Sequence, residues 1–148
     1  MAAPTGQHPT EPDWPGQRLG LPPSGPGAVA GWGRRLLALF IDWMLSLLAV
    51  AAVTRSNPWE YSQSGVVHER YALGVLALEI WLLTSLVAGS AGQVVMRIGV
   101  RRVGGGLVDP IRVFVRTLLL LLVIPAVIYN RDQRGLHDLA ADSIAVRR

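Results

Sequence analysis

The chain has 148 residues, of which 51% are hydrophobic and only 16% charged, with a formal net charge of +4 and no cysteine. Soluble domains usually carry about 25% charged residues, so the balance leans towards lipid, and the length gives room for one domain. The absence of cysteine excludes disulfides, iron–sulfur clusters, thiolate zinc sites and cysteine nucleophiles. All fourteen basic residues are arginine, which reads as the genome bias of a high-GC bacterium. They sit beside apolar runs and do not alternate with aromatic residues. A polybasic membrane flank is therefore the expected role, and no nucleic-acid partner is expected.

Residues 1–30 contain seven of the ten prolines, with glycine interspersed. Such a segment buries too little apolar surface to offset its ordering entropy, so a disordered tail is predicted there. It lacks the apolar core of a signal peptide. The remaining residues, 31–148, form the predicted membrane domain.

The first apolar run, Leu36 to Val53, holds ten Leu, Ile, Phe or Val residues and one charge, Asp42. Each large apolar residue contributes roughly −0.3 to −0.6 kcal/mol to insertion, against about 2.5–3.5 for a central Asp, so the run can insert with Asp42 inside it. Trp32 suits an interfacial anchor. A polar loop, 54–70, carries the turn signal Asn57-Pro58. The second run, Tyr71 to Ala88, again has one charge near its middle, Glu79. At about 1.5 Å per residue it reaches roughly 27 Å, close to the hydrocarbon thickness.

The segment Gly89 to Leu107 reads as a basic loop with Arg97, Arg101, Arg102 and the triple glycine Gly104 to Gly106. Without a lysine or a strand–helix context the glycines fit a flexible turn better than a phosphate cradle. Asp109-Pro110 is a helix start, Asp as N-cap and Pro at the first helical position. That third helix carries Arg112 and Arg116 and then the apolar stretch Thr117 to Ile128, interrupted by Pro125. From Asn130 onwards the chain is a polar tail.

Three stretches resemble the RDD family of bacterial integral membrane proteins. Arg34-Arg35-Leu36-Leu37-Ala38-Leu39-Phe40-Ile41-Asp42 is similar to the family's first helix, with Arg35 and Asp42 as its arginine and first aspartate. Gly135-Leu136-His137-Asp138-Leu139-Ala140 resembles the C-terminal His-Asp signature, with Asp138 as the second aspartate. Gly92-Gln93 and the basic segment to Val103 look like the glycine-containing loop, although Val94, Met96 and Arg97 replace the family's usual Thr and Gly-Lys. The resemblance covers about residues 31–148 and implies a membrane domain more firmly than an activity; transport, including cation–proton exchange, is what it suggests.

The polar residues allow two readings each. Arg35 and Asp42 share one face of the first helix, but a rise of about 10 Å separates them, so Asp42 needs another partner. The leading one is Arg116, which lies about 9 Å along the third helix while Asp42 lies about 9 Å beyond Leu36. An intramembrane carboxylate is a functional candidate by default, and a structural ion pair is the alternative. Glu79 either faces a partner subunit or a proton path shared with Asp42, or sits protonated and neutral. His137-Asp138 lacks a nucleophile, so a local cap or a contact to an Arg of the central loop is expected instead of a catalytic dyad.

The predicted fold is an all-α membrane protein: two transmembrane helices plus a third spanning or re-entrant helix. It is expected to be multi-pass in a bacterial cell membrane, with the N-terminus cytoplasmic, residues 54–70 outside and 89–112 inside. A third segment bent near Pro125 would return the C-terminal arginines to the cytoplasm and satisfy the positive-inside bias. The bilayer, a second copy or another membrane protein are the expected partners. No enzyme activity, cofactor or metal is expected. Two functions remain: transport of a small ligand or cation–proton exchange, and an accessory or scaffold role in which Asp42 is structural.

Overall fold

The structure is a computed structural model that describes residues 12–55, 66–122, 128 and 130–148, with backbone alone for 66–70. Among the described residues it is mostly helical, with one helix long and apolar enough to cross a membrane and a small two-stranded sheet. The elements are α1 (Trp32–Thr54), α2 (Val66–Val87), α3 (Ala91–Val95), β1 (Ile98–Arg102), α4 (Pro110–Leu121), α5 (Leu136–Ala140) and β2 (Ser143–Arg147).

Helix α1 begins four residues before the apolar run, at Trp32. It stops where Arg55 turns left-handed (φ 55°) and its amide bonds back to the Ala51 carbonyl. Helices α1 and α2 form a hairpin: Val50 near the end of α1 packs on Ala72 near the start of α2, with Trp43, Leu47 and Val75 around them. Helix α4 runs back along α2. The Trp81 indole donates to the Pro110 carbonyl at 3.0 Å, and its ring meets Phe114 edge-on with 6.0 Å between centroids. The start of α4 is as predicted, with Asp109 accepting from the Ile111 amide at 2.9 Å and Pro110 in the first turn. Its twelve residues reach only about 18 Å. Pro125, where a bend was expected, lies outside the described residues.

The all-α expectation needs correction at one end of this bundle. β1 and β2 pair antiparallel, from Ile98 opposite Arg147 to Arg102 opposite Ser143. The loop predicted over 89–107 therefore contains a helix and a strand, and the polar tail contains another of each. Residues 12–30 also depart from the expected disorder. A 3-10 turn spans Gln17–Leu19. Val29 bridges Val146, the Ala30 amide donates to the Ala145 carbonyl, and the Arg147 amide donates to Ala28. Ala28, Val29 and Ala30 are all buried. The apolar floor that makes this possible is Val29, Ile144 and Val146, covered by Leu19 and Leu21.

Because β2 returns to β1, the segment before α1, the end of α2, the start of α4 and the C-terminal strand all meet at one end. Arg148 closes that end. Its guanidinium donates to the carbonyls of Val87, the last residue of α2, and of Ala88 just after it.

Candidate functional site

The polar residues singled out in the sequence fall into two buried networks, stacked along α1. The deeper one is a clamp on the N-terminus of α3. Ser90-Ala91-Gly92-Gln93 forms a capping box: the Ser90 hydroxyl accepts from the Gln93 amide, and the Gln93 side chain accepts from the Ser90 amide at 3.1 Å. The free amides of this short helix are then taken up by two carboxylates from different long helices. Asp42 of α1 accepts from the Gly92 amide at 2.5 Å and from the Ser90 hydroxyl at 2.6 Å. Glu79 of α2 accepts from the Ala91 amide at 2.7 Å. Asp42 is 2% exposed and both its oxygens are engaged. The second Glu79 oxygen is buried without a hydrogen-bond partner.

A carboxylate at exposed helix N–H groups is favourable both as a hydrogen-bond acceptor and against the partial positive charge there. Here it joins three helices at one point. The contact requires glycine at 92, because a β-carbon would fall 2.0 Å from the Ala38 carbonyl oxygen. Ala38, Asp42 and Ser46, the small or polar stripe of α1, are buried, as are Val50 and Ala51 further along the helix.

The second network is centred on Asp138 in α5, which has no exposed surface. Arg35 Nη1 lies 2.8 Å from one carboxylate oxygen, and Arg116 Nε lies 2.9 Å from the other. His137 Nε2 is 3.5 Å away. Ser143 Oγ approaches the same oxygen at 3.4 Å. Burial on its own would raise the pKa of this carboxyl; the guanidinium of Arg116, then His137 and Arg35, outweigh it and hold the value at about 2. Arg35 also donates to the carbonyls of Ala30 at 2.8 Å and Ala145 at 3.3 Å, so one side chain ties α1 to the sheet. Arg134 donates to the Ser143 carbonyl at 3.0 Å. Asp142, at the rim, lies 3.5 Å from Arg102, 3.5 Å from Arg112 and 3.9 Å from Arg134.

The predicted pairing of Asp42 with Arg116 is therefore replaced by two other pairings. Arg116 goes to Asp138, and Asp42 goes to backbone and hydroxyl donors of α3. The matching depths that suggested the pair did not include α3 or α5, which intervene as donor to Asp42 and acceptor from Arg116. The arginines that pair with Asp138 come from α1 and α4, not from the central loop. Among the described residues no group of His, Asp and Glu is arranged to hold a metal ion.

Ser90, Gly92 as a packing residue and Arg134 were missed as site residues. The S-x-x-Q spacing of Ser90 and Gln93 is a capping-box signature and was the available signal for α3. The five site residues themselves, Arg35, Asp42, Glu79, Arg116 and Asp138, do cluster at the sheet-bearing end of the bundle.

No family model, no curated protein and no solved structure matches this chain. The resemblance to the RDD family is thereby neither supported nor contradicted.

Proposed function

We propose that this chain is a multi-pass integral membrane protein of the RDD type, in a bacterial cell membrane, in which Asp42 and Asp138 lock the helices in an accessory or scaffold role. The observation that carries the membrane reading is an inverted polarity. Asp42, Ser46, Thr84, Arg116, Thr117 and Asp138 are buried, while Leu36, Leu37, Phe40, Leu45, Leu48 and Val53 of α1 face outward. Only 28% of the apolar stretch of α1 is buried, unlike the core helix of a soluble protein. On α4, Ile111, Phe114, Leu118 and Leu122 form a continuous exposed stripe, and Arg116 points the other way. Exposed apolar patches on soluble monomers rarely exceed a few hundred Å². Lipid is the cover that suits three helices at once, with a second copy on part of the surface.

The sheet-bearing end is then the cytoplasmic one. Arg34, Arg97, Arg101, Arg102, Arg147 and Arg148 lie on or next to the elements of that end, in keeping with the positive-inside bias. Helix α4, at about 18 Å, is by itself too short for a hydrocarbon core of about 30 Å, which supports a re-entrant reading. Alkaline carbonate extraction of the native membranes tests this directly. The protein stays in the pellet on this reading, and its release into the supernatant removes it.

The scaffold role follows from the saturation of Asp42 by donors of its own chain. A second reading, transport with proton or cation exchange, is favoured by Glu79, whose second oxygen is buried without a partner beside the clamp. Purified protein in liposomes separates the two. A scaffold gives no cation-dependent dissipation of a pH gradient, and Asp42→Asn lowers the yield of folded protein. An exchanger gives a signal that Glu79→Gln abolishes while the protein still folds.

A further inference from the structure

Residues 13–21 close into a small loop. The Trp14 indole donates to the Leu21 carbonyl at 2.9 Å, and the amides of Leu19 and Leu21 both donate to the Gly16 carbonyl, at 2.9 and 3.1 Å. The Gly20 amide donates to Gln17 at 3.0 Å. All of these bonds stay inside the loop. Among the described residues a single hydrogen bond leads out of it, from the Gly16 amide to the Asp132 carboxylate at 3.3 Å.

The loop rests on the outer face of the sheet. Leu19 and Leu21, both partly buried, lie on Val29, Ile144 and Val146. The seating is incomplete. A cleft of about 250 Å³ stays open beside Leu19 and Leu21, bounded by Arg101, Val103 and Ile144. Protein interiors leave few voids larger than a water molecule, so the loop packs less closely than a core element does.

The stretch just before α1 is held differently. The Gly27 amide donates to Arg147, the Arg147 amide to Ala28 and the Ala30 amide to Ala145, all at 2.8–2.9 Å. Arg35 adds a bond to the Ala30 carbonyl at 2.8 Å. Between this firm stretch and the loop lie Pro22, Pro23, Ser24 and Pro26, all exposed.

We propose that residues 13–21 are a detachable cap. They leave the sheet by local opening while residues 27–30 stay paired with β2 and the rest of the fold persists. The apolar face of Val29, Ile144 and Val146 is then accessible only in the open form, and the cap is a gate on it. An attachment of two leucines and one hydrogen bond belongs to the segments that open at far less cost than global unfolding. Off the sheet, a turn this short does not hold its own bonds in water, so opening frees its amides. Gly16 is what lets the cap close. Its φ is +85°, and a β-carbon there would stand 2.7 Å from Val29 Cγ2. Val29 is buried and β-branched, with few χ1 choices, so it does not swing aside. The cap opens whether or not the helices lie in lipid.

Hydrogen–deuterium exchange of the full chain in a mild detergent, read by mass spectrometry, tests the gate. The amides of Leu19, Gly20 and Leu21 are expected to exchange at least about tenfold faster than the paired amides of β1 and β2. Gly16→Ala is expected to speed the cap amides about tenfold or more again, the scale of an overpacking cost, and to leave the strands unchanged. Leu21→Ser, which removes one of the two leucines and spares the turn backbone, is expected to act in the same selective way. Equal exchange of cap and strands in the wild type overturns the proposal. So does a strand rate that rises in step with the cap, or cap exchange unchanged by both substitutions. Loss of folded protein in both variants overturns it too, because the loop would then belong to the cooperative core.

Discussion

Gly92 lies against the carbonyl of Ala38 so closely that a β-carbon on it would stand 2.0 Å from the oxygen. The neighbour is backbone of a long helix and cannot give way as a side chain would. Gly92→Ala is therefore expected to push α3 off α1 and separate Asp42 from its donors, at a cost above the usual ~1–3 kcal/mol of overpacking. Gly74→Ala is the matched control: it adds the same methyl where nothing lies within 4 Å and removes a mid-helix glycine, for a gain of about 0.5–1 kcal/mol. Thermal unfolding in detergent compares them. Equal midpoints for the two variants would contradict the clamp.

A double-mutant cycle distinguishes the observed pairing from the one the helix depths suggested. Asp138→Asn leaves two guanidinium groups buried with too little negative charge, a loss of about 3–5 kcal/mol. Combining it with Arg116→Gln should cost less than the sum of the single changes by at least ~1 kcal/mol. Asp42→Asn and Arg116→Gln share no partner and should add to within about 0.5 kcal/mol. Coupling in the second pair and none in the first would reverse the assignment.

Acid should loosen the same network. The folded pKa of Asp138 is depressed to about 2 from an ordinary 3.8, so the unfolded chain takes up its proton first. The stabilisation is complete above the unfolded value and is lost as pH falls through about 4 towards about 2, in total about 2 kcal/mol. Unfolding midpoints recorded down that range should fall in wild type, and Asp138→Asn should remove this part of the slope. A wild-type slope unchanged by the substitution would place the acid sensitivity elsewhere.

The exposed stripe of α4 offers a check on what covers it. Leu118→Arg places a charge on the face opposite Arg116. Lipid coverage predicts a smaller carbonate-resistant fraction, since a charge at membrane depth costs up to about 2.5–3.5 kcal/mol. Thr117→Arg would instead bury a second cation inside the protein and lower folded yield. A Leu118→Arg protein that integrates as wild type does would mean that this face meets water or a polar partner.

The long elements were legible because their signal is local. The apolar runs mark α1 and α2, and Asp109-Pro110 marks the first turn of α4 within a residue. The five polar candidates were visible for a related reason: a charge inside an apolar run stands out. Their partners were not, because Arg35 and Asp138 are 103 residues apart and the depth of a helix says nothing about elements that fold over its end. The strands were hidden by length and content. β1 is Ile98-Gly99-Val100-Arg101-Arg102, five residues with two arginines, and it is completed only by a strand more than forty residues away. Over residues 12–30 composition misled: the average is that of a disordered chain, but Leu19, Leu21 and Val29, with the backbone bonds of Ala28 and Ala30, seat that stretch on the sheet.

The Asp138 network also orders the steps by which the protein is made. Arg35 and Arg116 leave the ribosome before the carboxylate they share, and synthesis runs from the N-terminus at about 5–20 residues per second. During that interval both cations must be kept in water or among headgroups, since burial without a counter-charge is strongly unfavourable. If the protein is membrane-embedded as proposed, the hairpin of α1 and α2 can enter the bilayer early, but α4 cannot settle against α2 until α5 arrives to neutralise Arg116. On that proposal integration is a two-stage process, an early insertion followed by a late docking. Its checkpoint is a single aspartate in the last part of the chain.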